Sequence, residues 1–153
     1  MQKITPFIWL NNQAEEAARF YTSVFRNSKM GMITHYGDGA PVPKGTVMTA
    51  TFQLEGQDMI VLNGGPHYQL TPAISFVVSC ETQEEIDHYW EKLTEGGKPL
   101  QCGWLTDKFG VTWQIVPSDI GSIAKSGKAM QALMTMTKLD LAVLRTARDS
   151  EKA

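Results

Sequence analysis

The side chains best suited to acid–base, nucleophilic or metal chemistry are scattered along the sequence. His35 falls in a predicted strand, His67 in a predicted loop and His88 on a predicted helix, and this spacing is not typical of a metal site. Cys80 and Cys102 fit neither a disulfide framework nor a zinc ribbon and indicate reduced thiols in a cytoplasmic protein. No histidine is placed by the sequence to activate Cys102 as a nucleophile. The sequence therefore assigns no catalytic residue.

A second set of polar side chains could hold a small organic molecule. Alternation along the predicted strands places hydroxyl and amide groups together on one sheet face, among apolar residues. A few polar groups on an apolar wall are typical of a ligand pocket, although a solvated face of an antiparallel sheet can have the same composition. Trp104 borders this face and could either stack on a planar ligand or cover a dimer seam. The predicted ligand-binding residues are Thr49, Thr51, Gln53, Ser75, Trp104 and Gln114.

The same alternation predicts the opposite face, which should pack against helices because its side chains are bulky and apolar. Its predicted members are Phe7, Trp9, Met48, Ala50, Phe52, Met59, Val61, Ile74, Phe76, Val78, Val111, Trp113 and Ile115.

The elements that carry these strands occur twice in the sequence. Phe7-Ile8-Trp9 aligns with Phe76-Val77-Val78, 69 residues later, and the apolar face of a predicted helix repeats in the same register. Each copy is predicted as β-α-β-β-β, over residues 3–63 and 72–117. Asn12 and Thr82 are predicted to cap the two helices, because a glutamate follows each of them three residues later. The predicted fold class is α+β.

The tail over residues 118–153 has no counterpart in the first copy and is predicted to be helical. Met130, Leu133 and Met134 share one face of a predicted helix there. They could belong to a helical pair that covers the sheet or a dimer seam. They could instead form a lid over a pocket, because methionine adapts to irregular shapes.

Size and charge limit the classes of partner. The 153 residues suit a single domain over residues 1–153, and the formal net charge is −2. The sequence has no basic stripe of the kind that nucleic acids or anionic membranes require, and no apolar stretch long enough for a membrane span. We expect a soluble cytoplasmic protein without nucleic-acid or membrane partners.

Several motifs resemble those of a known family. They are Ile4-Thr-Pro-Phe-Ile-Trp9, Asn63-Gly-Gly-Pro66, Ile74-Ser-Phe-Val-Val78, Gln101-Cys-Gly-Trp104 and Asp107-Lys-Phe-Gly-Val-Thr-Trp-Gln-Ile-Val-Pro117. Together they resemble the PhnB-like family, also labelled the 3-demethylubiquinone-9 3-methyltransferase domain, of the vicinal-oxygen-chelate (glyoxalase/bleomycin-resistance) superfamily. The resemblance implies two modules that form a curved mixed sheet around a cup, usually in a homodimer. The methyltransferase label lacks support, because no glycine-rich loop opens a helix to receive a cofactor.

The resemblance also implies where a metal would bind. Enzymes of the superfamily supply His, Glu or Gln from four strand positions to a divalent metal, which polarises the substrate as a Lewis acid. These positions correspond here to Ile4, Ile60, Ala73 and Gln114. Three apolar side chains cannot bind a cation. We therefore predict no metal ligands and no cofactor, with a divalent metal as the less favoured alternative.

These observations favour a small-molecule-binding protein of the PhnB-like type, without the usual metal and without assigned catalysis. Its ligand would be an organic molecule of unknown identity. One alternative is a glyoxalase-like, metal-assisted enzyme of the isomerase or dioxygenase class. The other is a dimeric module whose ligand is another protein.

Overall fold

A computed structural model describes residues 2–151 of the chain, which divides into two compact units, Met1–Leu70 and Thr71–Ala153. The elements of the first unit are β1 (Phe7–Leu10), α1 (Ala14–Val24), β2 (Ser28–His35), β3 (Val47–Leu54) and β4 (Gln57–Asn63). Those of the second are β5 (Phe76–Cys80), α2 (Gln83–Thr94), β6 (Lys98–Pro99), β7 (Trp104–Thr106), β8 (Thr112–Pro117), α3 (Ile120–Ala124), α4 (Gly127–Leu133) and α5 (Leu141–Ser150). The predicted α+β class is confirmed, with β-α-β-β-β occurring twice.

Each unit contains one mixed four-stranded sheet. The strand orders are β1-β4-β3-β2 and β5-β8-β7-β6. The first strand of each unit pairs in parallel with the last, and the other neighbours are antiparallel. A parallel pair needs a crossover connection, which the helix of each unit begins. The joining of the two modules into one curved sheet around a cup stays a prediction.

The core of the first unit lies between α1 and one face of its sheet. Tyr21 of α1 is fully buried and stacks on Phe52 of β3, with ring centroids 6.0 Å apart. Ala50 and Val61 are fully buried on the same face, and the register places them opposite each other. The prediction of a bulky helix-facing side is correct for these strands.

The side of β1 that faces the helix is the opposite of the predicted side. Ile8 and Leu10 are buried, whereas Phe7 is 55% exposed and Trp9 is partly exposed. Three residues separate β1 from α1, but only two separate β5 from α2. An alignment of the two copies at a constant offset of 69 residues therefore matches the helices but misaligns the first strands by one residue. Because strand side chains alternate, this displacement exchanges the two faces. Ile74 is also exposed, because it precedes the strand it was assigned to.

The two helices begin in different ways. Thr82 caps α2 as predicted, with its side chain accepting a hydrogen bond from the Glu85 amide at 3.2 Å. Asn12 does not cap α1; the buried Asn63 at the end of β4 supplies the acceptor instead, with Oδ1 2.8 Å from the Ala14 amide nitrogen. The cap is therefore a tertiary contact, which local sequence spacing does not reveal.

A buried carboxylate organises the turn between β7 and β8. The two carboxylate oxygens of Asp107 accept hydrogen bonds from the amides of Phe109 and Val111, at 2.9 and 3.0 Å, and from the Trp113 indole at 2.8 Å. Gly110 in the same turn has a φ of +91°, which favours glycine. The Asp107 motif is therefore structural.

The tail packs onto the second unit through its leucines. Leu139, Leu141 and Leu144 are buried, and Gln83 of α2 hydrogen-bonds the tail backbone at the Leu139 carbonyl and the Leu141 amide. The predicted shared face of α4 is only partly buried. Leu133 is buried, whereas the other two members, Met130 and Met134, are exposed. Within residues 2–151, no helix has the length and apolar character that crossing a membrane requires.

Candidate functional site

The predicted ligand-binding residues of the first unit share one sheet face. Thr49, Thr51 and Gln53 alternate along β3 and are all partly exposed. In the β4 register they lie opposite Leu62, Ile60 and Asp58. We call this surface, on the side of the sheet away from the buried core, the first open face. Its members are Phe7, Trp9, Thr34, Thr49, Thr51, Gln53, Asp58, Ile60 and Leu62.

The Thr51 hydroxyl is engaged in holding a β-bulge. The pairing of β2 with β3 shifts by one residue between Met30 and Ile33. At this point Thr51 Oγ1 accepts a hydrogen bond from the Met32 amide at 2.7 Å and lies 3.3 Å from the Met32 carbonyl oxygen. Gly31 admits the hydroxyl, because a Cβ atom there would collide with it. Because its hydroxyl is engaged with the β2 backbone, Thr51 contributes more to the shape of the surface than to its hydrogen-bonding capacity.

The other two polar side chains are paired across strands. The Thr49 and Thr34 hydroxyls lie 2.6 Å apart. The Gln53 amide nitrogen donates to Asp58 Oδ1 at 2.9 Å. Both pairs orient polar groups on the first open face. Within residues 2–151, the Gln53 amide oxygen accepts no hydrogen bond.

A depression of about 340 Å³ lies at this bulged part of the first unit. Its size falls in the range of small-molecule pockets, roughly 300–1,000 Å³. The lining mixes apolar side chains with one amide, two separate hydroxyls and two charged groups. The residues are Thr5, Lys29, Met30, Gly31, Thr51, Phe52, Gln53, Asp58, Met59 and Ile60.

The predicted residues of the second unit also meet on one face. The register places Gln114 of β8 beside Trp104 of β7 on one side and Val77 of β5 on the other. Gln114 Nε2 donates to Ser75 Oγ at 2.9 Å. Thr112, two residues before Gln114 on β8, is buried. The structure thus assembles Ser75, Trp104 and Gln114 within this unit.

Of the positions implied for a metal, Ile4 and Ala73 lie outside the described strands of their units. Ile4 is 86% exposed and precedes β1, and the side chain that contacts Gln114 is that of Ser75, two residues beyond Ala73. Over residues 2–151, no group of three or more His, Cys, Asp or Glu side chains is arranged to hold a metal ion. The donors present do not fit a divalent cation.

The cysteines differ in burial. Burial raises the pKa of the Cys80 thiol to about 12, and the nearby Glu85 and Glu81 carboxylates act in the same direction. Cys80 is therefore a protonated core residue at neutral pH. Cys102 is partly exposed and adopts a φ of +62°.

Sequence reasoning missed an aromatic cluster on the first open face. Trp9 meets Tyr68 edge to face, with ring centroids 4.9 Å apart, and Tyr68 meets His67 at 4.5 Å. The signal that could have found it is the extra residue between β1 and α1, which reverses the face that Phe7 and Trp9 occupy.

A model of the 3-demethylubiquinone-9 3-methyltransferase family matches residues 2–116. A PhnB protein from Bacillus cereus, described under the same methyltransferase name, is 41% identical, with a TM-score of 0.69 over 75% of this chain and 99% of that one. A Pseudomonas aeruginosa protein is 20% identical (TM-score 0.63, 76% and 98% of the two chains), and shares the fold.

The fosfomycin resistance protein FosX from Listeria monocytogenes, solved with Mn(II) and 1S,2S-dihydroxypropylphosphonic acid, is 14% identical with a TM-score of 0.53 over 75% of this chain and 92% of that one. No curated protein matches the chain. The matched length and the identity to the Bacillus protein show that this chain belongs to the 3-demethylubiquinone-9 3-methyltransferase family, of which that PhnB protein is a solved member.

Proposed function

We propose that this chain is a small-molecule-binding protein that holds an organic ligand on the open faces of its sheets. The ligand-contacting residues in this proposal are those named from the sequence: Thr49, Thr51, Gln53, Ser75, Trp104 and Gln114. Free thiols at Cys80 and Cys102 support a cytoplasmic location, and the family resemblance supports a homodimer.

One observation carries the proposal. The depression in the first unit joins the apolar side chain of Ile60 to the amide of Gln53. An apolar cavity with few, fixed polar groups binds by excluding water and orients its ligand by hydrogen bonds. The hydrogen bond from Gln53 to Asp58 fixes the amide and leaves its oxygen available as an acceptor.

Binding is favoured over catalysis by the chemistry of the side chains. The polar groups of the proposed ligand-contacting residues are hydroxyls, amides and an indole, which do not titrate near neutral pH. The buried Cys80 is held protonated, and the buried carboxylate of Asp107 is committed to three hydrogen bonds. We infer no general base or nucleophile among the proposed ligand-contacting residues.

We propose no resident metal and no methyl-donor cofactor. Isoleucine and alanine side chains stand at three of the four implied ligand positions, and Ser75 with Gln114 supplies only neutral oxygen donors. Methyl-donor cofactors of the common parallel-sheet enzymes bind where a glycine-rich loop opens a helix. The sheets described here each have a single parallel strand pair.

A metal-assisted enzyme is the second candidate. It is favoured by the shared fold with FosX, which was solved with Mn(II). A dimeric interaction module is favoured by the exposed apolar side chains Met130, Met134 and Val143 on the tail.

Thermal-shift titration with a panel of small organic molecules tests the binding proposal. We expect at least one compound class to raise the melting temperature saturably. The Gln53→Leu substitution should weaken that binding about fivefold, because it removes one hydrogen bond worth about 1 kcal/mol.

The matched control is Gln57→Leu, which changes the same residue type at the exposed first position of β4. It should leave the affinity unchanged. A panel that gives no saturable shift, or equal affinity loss in both variants, would contradict the proposed site. Native mass spectrometry of protein purified from its host would identify a retained ligand directly.

A further inference from the structure

The first open face is divided into two chemically different halves. Over β2 and β3 it presents the hydroxyls and amide of Thr34, Thr49, Thr51 and Gln53. Over β1 and β4 it presents Phe7 beside Ile60 and Trp9 beside Leu62 in the parallel register. A molecule covering both halves would meet hydrogen-bonding groups along one side and apolar rings along the other.

The indole of Trp9 is fixed in orientation. Its Nε1 donates to the Gly65 carbonyl at 2.9 Å, and Gly64 packs directly on the ring, where any Cβ atom would collide with it. Tyr68 then makes its edge contact with the indole. A ring held in one orientation loses little conformational entropy on binding, which favours affinity.

The segment that holds the indole is itself anchored. Asn63 caps α1 through Oδ1 and donates from Nδ2 to the Val47 carbonyl at 3.1 Å. Its own carbonyl accepts a hydrogen bond from the Tyr36 hydroxyl at 2.5 Å. The Asn63-Gly-Gly-Pro66 motif therefore builds a rigid support for the aromatic cluster.

The exposed aromatic surface fits a small molecule in area. Phe7 is 55% exposed and Tyr68 is 63% exposed. Because an aromatic side chain buries roughly 150–250 Å² when fully covered, these two offer on the order of 250 Å². A stable protein interface buries about 800 Å² on each partner. The aromatic half is therefore too small to carry a protein partner by itself.

We propose that Phe7, Trp9 and Tyr68 form an aromatic wall that packs against a planar ring of the ligand. The ligand class is a planar aromatic or heteroaromatic molecule with hydrogen-bonding groups on one edge. Its ring lies against the aromatic wall, and its polar edge points over Ile60 towards Gln53 in the depression. This inference rests on the proposed small-molecule binding and specifies its ligand.

Two probes that differ in planarity test the aromatic wall. Naphthol and its fully saturated analogue decalol share a carbon skeleton and one hydroxyl, and each can be titrated into the full chain by NMR. We expect naphthol to bind about tenfold more tightly, because ring–ring contacts add to apolar burial. Phe7→Leu and Tyr68→Leu should each remove most of that preference.

The matched control is Phe20→Leu on α1, a helix that packs on the other side of the sheet; it should keep the preference for naphthol. Equal affinities for the two probes in the wild type would overturn the aromatic wall while leaving small-molecule binding intact. Binding of neither probe, with no saturable shift from any panel compound, would overturn both proposals.

Sedimentation of wild type and Phe7→Leu gives a second readout. A dimer lost in the variant would assign this surface to a second copy and overturn the aromatic wall.

Discussion

At the residue scale, Asp107 illustrates why a polar motif is not by itself an active site. It is 3% exposed and accepts three hydrogen bonds from its own turn and from Trp113. A carboxylate so occupied has little capacity left to accept a proton from a substrate. Its role is to replace water for three buried donors, which would otherwise be unsatisfied.

Removing the Asp107 carboxylate should therefore destabilise the fold. We expect Asp107→Ala to lower the free energy of unfolding by about 3 kcal/mol, because it leaves buried N–H groups without acceptors. Urea denaturation followed by tryptophan fluorescence measures the change. Asp38→Ala is the control, since its side chain is 86% exposed in a loop, and it should change stability by less than about 0.5 kcal/mol. Equal effects of the two substitutions would refute the structural role.

At the element scale, the sequence predicted most of the elements because each has a local signal. The Thr82 cap needs only the Glu85 amide three residues on, and the hairpin of β3 and β4 needs only a tight turn at Glu55 and Gly56. Both turn residues have positive φ, 49° and 82°, as a two-residue hairpin turn requires.

The missed features depend on contacts between distant residues. The α1 cap comes from Asn63, far along the chain. The face of β1 is set by its pairing with β4, and one extra residue before α1 was enough to reverse the prediction. The same error left the aromatic half of the first open face unpredicted. Site prediction therefore failed where strand register, and not residue type, decides the outcome.

The tail offers a pH-dependent prediction at this scale. Arg145 and Arg148 of α5 hydrogen-bond Asp119 at the start of α3, with the closest contact 2.7 Å from Arg148. The hydrogen bond from Arg145, with that from Arg148, lowers the pKa of Asp119 below its ordinary value. A carboxyl with a lowered folded-state pKa stabilises the fold above its unfolded pKa, about 3.9, and this contribution is lost as the pH falls through the folded value.

We expect Asp119→Asn to destabilise the protein by about 1 kcal/mol at pH 7, since the pair is partly solvated. The difference from wild type should shrink below pH 4 and vanish as the Asp119 carboxyl becomes protonated. Melting temperatures measured across this range check the sign. Asp38→Asn, in an exposed pair with Lys44, serves as the comparison, with little effect at any pH. A deficit in Asp119→Asn that persists unchanged at low pH would contradict the ion-pair explanation.

At the scale of the whole molecule, we propose that the shared fold has been separated from metal chemistry. The chain shares its fold with FosX, which was solved with Mn(II), yet apolar side chains stand at Ile4, Ile60 and Ala73. Exchanging donors for apolar groups converts a charged site into one that binds by burial of apolar surface. Apolar residues at these positions would leave the fold intact, because its cores lie on the helix-facing sides of the sheets.

This separation predicts the response to added metal. Mn²⁺, Zn²⁺ or Ni²⁺ should shift the melting temperature of the chain by less than about 1 °C. A site filled at a hundred times its dissociation constant would instead add about 2.7 kcal/mol and raise the transition by several degrees. Gln114→Ala and Ser75→Ala are the diagnostic variants, because these two side chains form the one hydrogen-bonded donor pair described at an implied ligand position. A saturable rise in wild type that Gln114→Ala abolishes would establish a metal site on β8 and favour the enzyme over the binding protein.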